Sequence, residues 1–221
     1  MQASMEMVSG DGPGETQIVI KREQSRYWHA GAWVDNTGSK STGKNQAGVM
    51  LALDNPTSLS DLFYLTATRD LSFASDKYTT NYSAHYSVSF GYWQFATTAS
   101  DYEYTQTIAG ANSDIQYRGK SKSLYLQLSN VLYRDATAKT TATYDVNLRE
   151  TSNFVQNTEI ENQKWRTTAW KLELNHRQYV GQSTINLGAS YQHGTRWFGA
   201  IPAFEEFVVK IPKIMRQRWR L

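Results

Sequence analysis

The alternation of apolar and polar residues is the feature that most restricts the fold of this chain. Before residue 206, period-2 alternation recurs and no helical period of useful length occurs. In the clearest segment, Tyr82 to Gly91, tyrosine, alanine, valine and phenylalanine at even positions face away from serine, histidine and glycine at odd positions. Similar segments occur near residues 124–129, 142–149, 170–175 and 185–192. The pattern predicts an all-β protein with about nine antiparallel strands.

The connections between these strands distinguish a membrane barrel from a soluble sandwich, because both folds bury one face of each strand. Long and short connections alternate along the chain four times. The long ones are Asp35–Gln46, Asp70–Asn81, Ile108–Lys120 and Thr151–Arg166, and the short ones are Asn55–Asp61, the turn at Gly91, Arg134–Ala138 and Gly181–Gln182. Outer-membrane barrels sort short turns and long loops to opposite sides of the membrane, whereas a sandwich has no reason to do so. The sequence therefore favours an antiparallel transmembrane β-barrel.

Aromatic residues near both ends of the strands predict two interfacial girdles. Phe90, Tyr92, Trp93, Tyr133 and Tyr179 lie toward the short turns, and Tyr82, Tyr102, Trp170 and Trp197 lie toward the long loops. Charged residues on the polar face of two neighbouring strands are candidates for facing the lumen: Asp145, Arg149, Lys171, Glu173 and Arg177. Cross-strand pairing that steadies the wall is the favoured role. The alternative is that they grip a plug or line the path of an exported protein.

Other chemistry has little support in the sequence. Gly38, Gly43 and Lys44 match G-x-x-x-x-G-K, but Asn45 replaces the magnesium-binding Ser or Thr, and 47–56 alternates like a strand where a P-loop needs a helix. There is no cysteine, and the four histidines lack metal-binding spacing. No nucleophile lies beside a plausible base. We therefore predict no enzymatic activity, metal, cofactor or nucleotide.

Charge and hydropathy exclude two further classes. The net charge of +3 is accounted for by five basic residues among the last fifteen: Lys210, Lys213, Arg216, Arg218 and Arg220. The rest of the chain has no basic excess, which argues against a nucleic-acid partner. The mean hydropathy is −0.58, and the longest apolar runs are far shorter than the ~20 residues of a membrane-spanning helix. The N-terminus also lacks the pattern of a secretory signal.

Five segments resemble, in the same order, parts of the ShlB/FhaC/HecB family, the outer-membrane transporters of two-partner secretion. They are Asp35–Leu71, His85–Trp93, Ser129–Thr141, Leu174–Gly181 and Gly194–Glu206. The resemblance runs from about Asp11 to Glu206 and covers nearly the whole chain. Within the first segment, the residues of the family loop motif are Asp35, Gly38, Gly43, Gln46, Asp54, Asn55 and Pro56.

The resemblance implies a sixteen-stranded barrel in the bacterial outer membrane, preceded by POTRA domains. Such a barrel exports or activates a secreted partner, a haemolysin, adhesin or contact-dependent toxin. By this analogy, residues 1–25 end a POTRA domain, with Gly14–Gln24 as its last strand, and residues 26–206 form the N-terminal half of the barrel. Residues 207–221 form an atypical basic tail, interpreted as frame-shifted, and the chain is expected to be a fragment that exports nothing alone. A porin-like or autotransporter-type barrel and a soluble β-sandwich binding module remain alternatives.

Overall fold

A computed structural model describes residues 2–10, 12–23, 26–72, 77–110 and 113–201. These residues form twelve strands and two short 3₁₀ helices, Glu161–Gln163 and Trp197–Gly199. The strands are β1 Gln2–Ser9, β2 Thr16–Glu23, β3 Trp28–Asp35, β4 Gln46–Asp54, β5 Asp61–Asp70, β6 Tyr78–Phe90, β7 Trp93–Ile108, β8 Ile115–Arg134, β9 Ala138–Val155, β10 Thr158–Glu159, β11 Trp165–Val180 and β12 Ser183–Thr195. Among the same residues, no helix is long and apolar enough to cross a membrane.

Nine long strands form one antiparallel meander in the spatial order β12-β11-β9-β8-β7-β6-β5-β4-β3. The two-residue strand β10 pairs with the end of β9, and β1 pairs with β2 in a separate hairpin. Within the described ranges, β3 and β12 do not pair with each other, so the sheet is open. The prediction of an all-β fold with about nine antiparallel strands is confirmed.

The strand register divides the sheet into an apolar and a polar face. Residues directly opposite each other on neighbouring strands project to the same face, and Leu124 lies opposite both Ala99 and Leu148. Large side chains of this face are exposed, for example Leu172 and Leu187. Among the described hydrophobic residues only Ala96 and Ala138 are buried. A sandwich would cover the apolar face with a second sheet, whereas in this sheet the apolar face is exposed, as a lipid-facing surface of a barrel would be.

The connections are sorted by side of the sheet, as predicted. Strands β3, β5, β7 and β9 end on one side of the sheet, and strands β4, β6, β8 and β11 end on the other. The predicted long loops at Ile108–Lys120 and Thr151–Arg166 were too wide, because β8 already begins at Ile115 and β9 continues to Val155. At the start of β8 the polar residues Gln116, Arg118 and Lys120 project to the face that is apolar in the middle of the strand, and the end of β9 carries polar residues on both faces, so neither end continues the pattern of the apolar band. With 16 to 20 residues, β7, β8, β9 and β11 exceed the roughly 9–11 residues needed to cross a membrane.

The predicted girdles are only partly present. Phe90 and Trp93 lie on the apolar face at a short turn, and Tyr82 lies on the same face nearer the long loops. By contrast, Tyr102 pairs with polar neighbours on the opposite face. Tyr179 belongs to that polar face too, because it lies two positions from Arg177, so neither tyrosine faces lipid.

The N-terminal residues contain one strand more than the sequence indicated. β2 falls within the predicted strand Gly14–Gln24, but its partner β1 was not predicted. Met5, Met7, Ile18 and Ile20 are exposed on this hairpin. The predicted tail, 207–221, lies outside the described residues.

Candidate functional site

The polar face carries an ion cluster where β9 meets β11. Lys171 is the register partner of Asp145, and its ammonium group lies 3.2 Å from Asp145 Oδ2 and 2.6 Å from Glu173 Oε2. The contact with Asp145 is ionic, because Oδ2 receives no bond with hydrogen-bond geometry. Asp145 is only 3% exposed. A carboxylate buried to this degree requires charged or hydrogen-bonding neighbours, and Lys171 supplies the opposite charge.

Neutral polar residues complete this cluster. Gln127 Nε2 on β8 donates to Asp145 Oδ1 at 3.1 Å and to the Tyr125 hydroxyl at 3.0 Å. Asn175 Nδ2 donates to Glu173 Oε1 at 2.6 Å. None of these three residues was among the predicted candidates. Their signal in the sequence is that they share the polar face. The contact of Gln127 with Asp145 depends on the register between strands, whereas Asn175 lies two positions from Glu173 on β11.

The remaining two candidates lie apart from the cluster. Arg149 Nε donates to Ser121 Oγ at 3.2 Å, and Arg177 Nε donates to Asn186 Oδ1 at 2.9 Å. Arg177 is six positions from Lys171 along β11, a separation of roughly 20 Å. The structure thus places all five residues on one face and brings three of them together. A lumen function for them stays a prediction.

The glycines of the loop motif serve close packing within the first long loop. The Gly38 N–H donates to the Lys44 carbonyl at 3.1 Å, and a Cβ on Gly38 would lie 2.1 Å from the Gly43 carbonyl oxygen. Gly43 has φ +111, and a Cβ there would lie 2.5 Å from Asp70 Cβ. Strand β4 follows at Gln46, so the interpretation of this segment as a loop before a strand, rather than a P-loop, is confirmed.

Polar contacts fasten this loop to the connection between β5 and β6. Thr79 Oγ1 donates to the Thr42 carbonyl at 2.9 Å, and the Leu71 N–H donates to the Asn45 carbonyl at 2.8 Å. The Asp70 carboxylate accepts the Thr79 N–H at 2.9 Å and a hydrogen bond from the Ser72 hydroxyl. At the start of the loop, Asp35 Oδ1 accepts the Thr37 N–H at 3.0 Å. Backbone groups that lack a ladder partner are thereby satisfied.

Asp54, Asn55 and Pro56 lie at the opposite end of β4, about 30 Å away for a nine-residue strand. Asn55 adopts φ 58, and its Oδ1 accepts the Ser60 N–H at 2.8 Å. Asp54 Oδ2 lies 2.8 Å from His29 Nε2. The seven motif residues therefore form two separate caps on the ends of one strand.

An open antiparallel sheet with an exposed apolar face, a polar face holding an ion cluster and sorted connections is a segment of a transmembrane β-barrel. The chain belongs to the haemolysin secretion/activation protein ShlB/FhaC/HecB family, whose family model matches residues 14–220. This match continues past Glu206, where we expected the likeness to end.

Relatives support this assignment. The outer membrane transporter CdiB-2 of Burkholderia pseudomallei (strain 1026b) is 30% identical over 89% of this chain and 34% of its own length. The hemolysin transporter protein ShlB of Serratia marcescens is 24% identical over 89% of this chain and 35% of its own length. The chain thus spans about a third of the length of these curated relatives.

Solved structures support the same fold. CdiB from Escherichia coli matches 91% of this chain and 38% of its own, with a TM-score of 0.83 and 26% identity. CdiB from Acinetobacter baumannii matches 88% of this chain and 37% of its own with a TM-score of 0.70. At 22% identity this second match supports the fold alone. The partial-barrel fold and the outer-membrane location predicted from the sequence are confirmed.

Proposed function

We propose that the complete protein is an outer-membrane translocator of the two-partner secretion pathway. It exports and activates an exoprotein of the haemolysin, adhesin or contact-dependent toxin type, and this chain supplies part of the barrel wall. The observation that carries the proposal is the match of the whole amphipathic sheet to a solved CdiB transporter at a TM-score of 0.83. The matched relatives are named as transporters, and we assign no catalytic step to the described residues.

The proposed domain division follows the strand pairing. The β1–β2 hairpin pairs only with itself among the described residues, which supports residues 1–25 as the end of a POTRA domain that recognises the exoprotein. Residues 26–206 then form the N-terminal half of the barrel, with the apolar face toward outer-membrane lipid. No nucleotide or nucleic acid takes part in this proposal.

The export function can be tested in a bacterial strain that lacks transporters of this family. The complete transporter containing this segment is expressed with an epitope-tagged candidate exoprotein, and the tag is quantified in the culture medium. Export only when both proteins are present supports the proposal. Ion conductance of the purified barrel in planar bilayers, without export of any co-encoded exoprotein, contradicts it and favours the porin-like alternative.

We also propose that Asp145, Lys171 and Glu173 steady the barrel wall. Their mutual distances of 3.2 Å and 2.6 Å around one ammonium group support this role. The alternative, in which they grip a plug or line the export path, is tested by the double variant Lys171→Gln/Glu173→Gln in the complete transporter. Unchanged conductance and export exclude the alternative. A large rise in conductance, absent from the control Lys120→Gln on the outward face, supports it.

A further inference from the structure

A groove on the apolar face follows the boundary between the apolar band and the first row of charged residues. The last apolar row consists of Leu65, Ala84, Ala99, Leu124 and Leu148. The next row toward the long loops consists of Ala67, Tyr82, Asp101, Lys122, Glu150 and Arg166. Two depressions of about 460 and 320 Å³ lie between these rows.

These depressions open toward lipid rather than toward the polar face. Their linings combine the two outward rows with the row between them, which includes Ser83, Ser100 and Ser123. The same row includes Arg149, the register partner of Ser123, which lines the second depression. Tyr64 and Tyr125, the large residues beside this row on the polar face, line neither depression. The row of serines therefore contributes the floor, and the outward side chains form the walls.

The rim of the groove on the side of the long loops is charged, and each of its two cations lies beside a carboxylate. Lys122 lines both depressions; its side chain is 68% exposed and its ammonium group lies 3.8 Å from Asp101. Arg166 lines the second depression and contacts Glu150 at 3.0 Å. Farther out on the same face, Lys120 lies 3.1 Å from Glu103. Exposed ion pairs contribute little stability, so a phosphate group can replace these carboxylates as the partner of Lys122 and Arg166.

We propose that this groove binds a phosphorylated glycolipid with several acyl chains, the class of lipid that forms the outer leaflet of the bacterial outer membrane. The acyl chains occupy the two depressions, where Ala84 and Ala99 leave room between larger side chains. The phosphates contact Lys122 and Arg166, at the level where the surface changes from apolar to charged. From β5 to β11 the groove crosses five interstrand spacings, about 24 Å, which is wide enough for several chains.

The test uses the complete transporter containing this segment, delipidated in neutral detergent. Bisphosphorylated hexa-acyl lipid A, monophosphoryl lipid A, phosphatidylglycerol and phosphatidylcholine are titrated separately, and bound lipid is counted by native mass spectrometry. The double variant Lys122→Gln/Arg166→Gln should bind the bisphosphorylated lipid at least about tenfold more weakly, because two surface cations near the headgroups are lost. Ala99→Trp should also weaken binding, because the indole fills the first depression without changing charge. The control Lys139→Gln, on the polar face near a short turn, should bind like the wild type.

Heat-dependent electrophoretic mobility verifies that each variant is a folded barrel, and lipid binding is read independently of any exoprotein. Selective binding of the bisphosphorylated lipid that is lost in the double variant supports the proposal. Unchanged binding by the double variant overturns it. Equal affinity of the wild type for phosphatidylglycerol overturns the glycolipid assignment, because it shows an unselective anionic-lipid surface.

Discussion

Replacing Lys171 by methionine should destabilise the barrel through the carboxylate that it leaves behind. Removing one member of a buried ion pair costs about 3–5 kcal/mol. Asp145 keeps its hydrogen bond from Gln127 at 3.1 Å, and the Lys171 side chain is itself 34% exposed. We therefore expect a loss of about 2–3 kcal/mol in the free energy of unfolding, measured by urea unfolding of the complete barrel in detergent micelles.

A double-mutant cycle with Asp145→Asn isolates the contribution of the pair. The single variant Asp145→Asn leaves Lys171 paired with Glu173 at 2.6 Å, so it should cost less than Lys171→Met. The coupling energy between the two substitutions should be about 1–2 kcal/mol. The control Arg177→Met removes only an exposed contact with Asn186 and should change stability by less than about 1 kcal/mol. A coupling energy below about 0.3 kcal/mol would refute the reasoning, because independent sites add within that error.

Two further substitutions test the connections. Gly43→Ala should destabilise the barrel by at least about 1 kcal/mol more than Gly91→Ala in the same urea assay, because both glycines have positive φ but only Gly43 would clash with a neighbouring residue; equal losses would contradict this. Hydrogen bonds from the Tyr133 hydroxyl and from the backbone of the following turn hold the pKa of Asp135 at about 2, below its ordinary value of 3.8. The stabilisation from these hydrogen bonds is fully present above pH 3.8 and is lost as the pH falls through about 2. The NMR shift of the Thr137 amide should therefore titrate near pH 2, and titration near pH 4 would exclude these hydrogen bonds.

The architecture could be predicted from the sequence because one face of this sheet is apolar throughout the band that contacts lipid. Each strand repeats the same binary pattern, as in Leu124, Leu126 and Leu128 on β8, and the tertiary contacts do not interrupt it. The alternation of long and short connections is equally visible in the sequence, because it depends only on the number of residues between successive apolar segments. The pattern fails at the long-loop ends of β7, β8, β9 and β11, where residues such as Glu103, Lys120 and Glu150 point outward beyond the apolar band.

The candidate site was only partly predictable, because contacts between side chains depend on register. The five charged residues share a face by alternation alone, and Glu173 meets Lys171 two positions away on the same strand. The pairing of β9 with β11 decides that Asp145 meets Lys171. The same pairing excludes Arg177 from the cluster. For the loop motif, the predicted strand between the first long and the first short connection already separates the seven positions, but the contacts at each end of β4 are not visible in the sequence. Gly43 contacts Asp70 through a fold-back that no short-range pattern encodes.

Polar contacts contribute more to the specificity of this fold than in a soluble protein, because the apolar side chains contact lipid instead of packing in a hydrophobic core. The described buried side chains are mostly polar, and they include Asp61, Asp70 and Asp145. Each of these aspartates holds a connection or joins two strands. Asp61 accepts a hydrogen bond from Thr57 in a short turn, and Asp70 accepts one from the Thr79 N–H at the second long connection. Asp145 contacts Gln127 on β8 and Lys171 on β11. A leucine on the apolar face contacts lipid in every register shifted by two residues, because such a shift keeps its side chain on that face, whereas a buried carboxylate finds its partners in one register only. The register of the wall is therefore specified by its few buried polar groups, and the apolar residues specify only which face is turned outward.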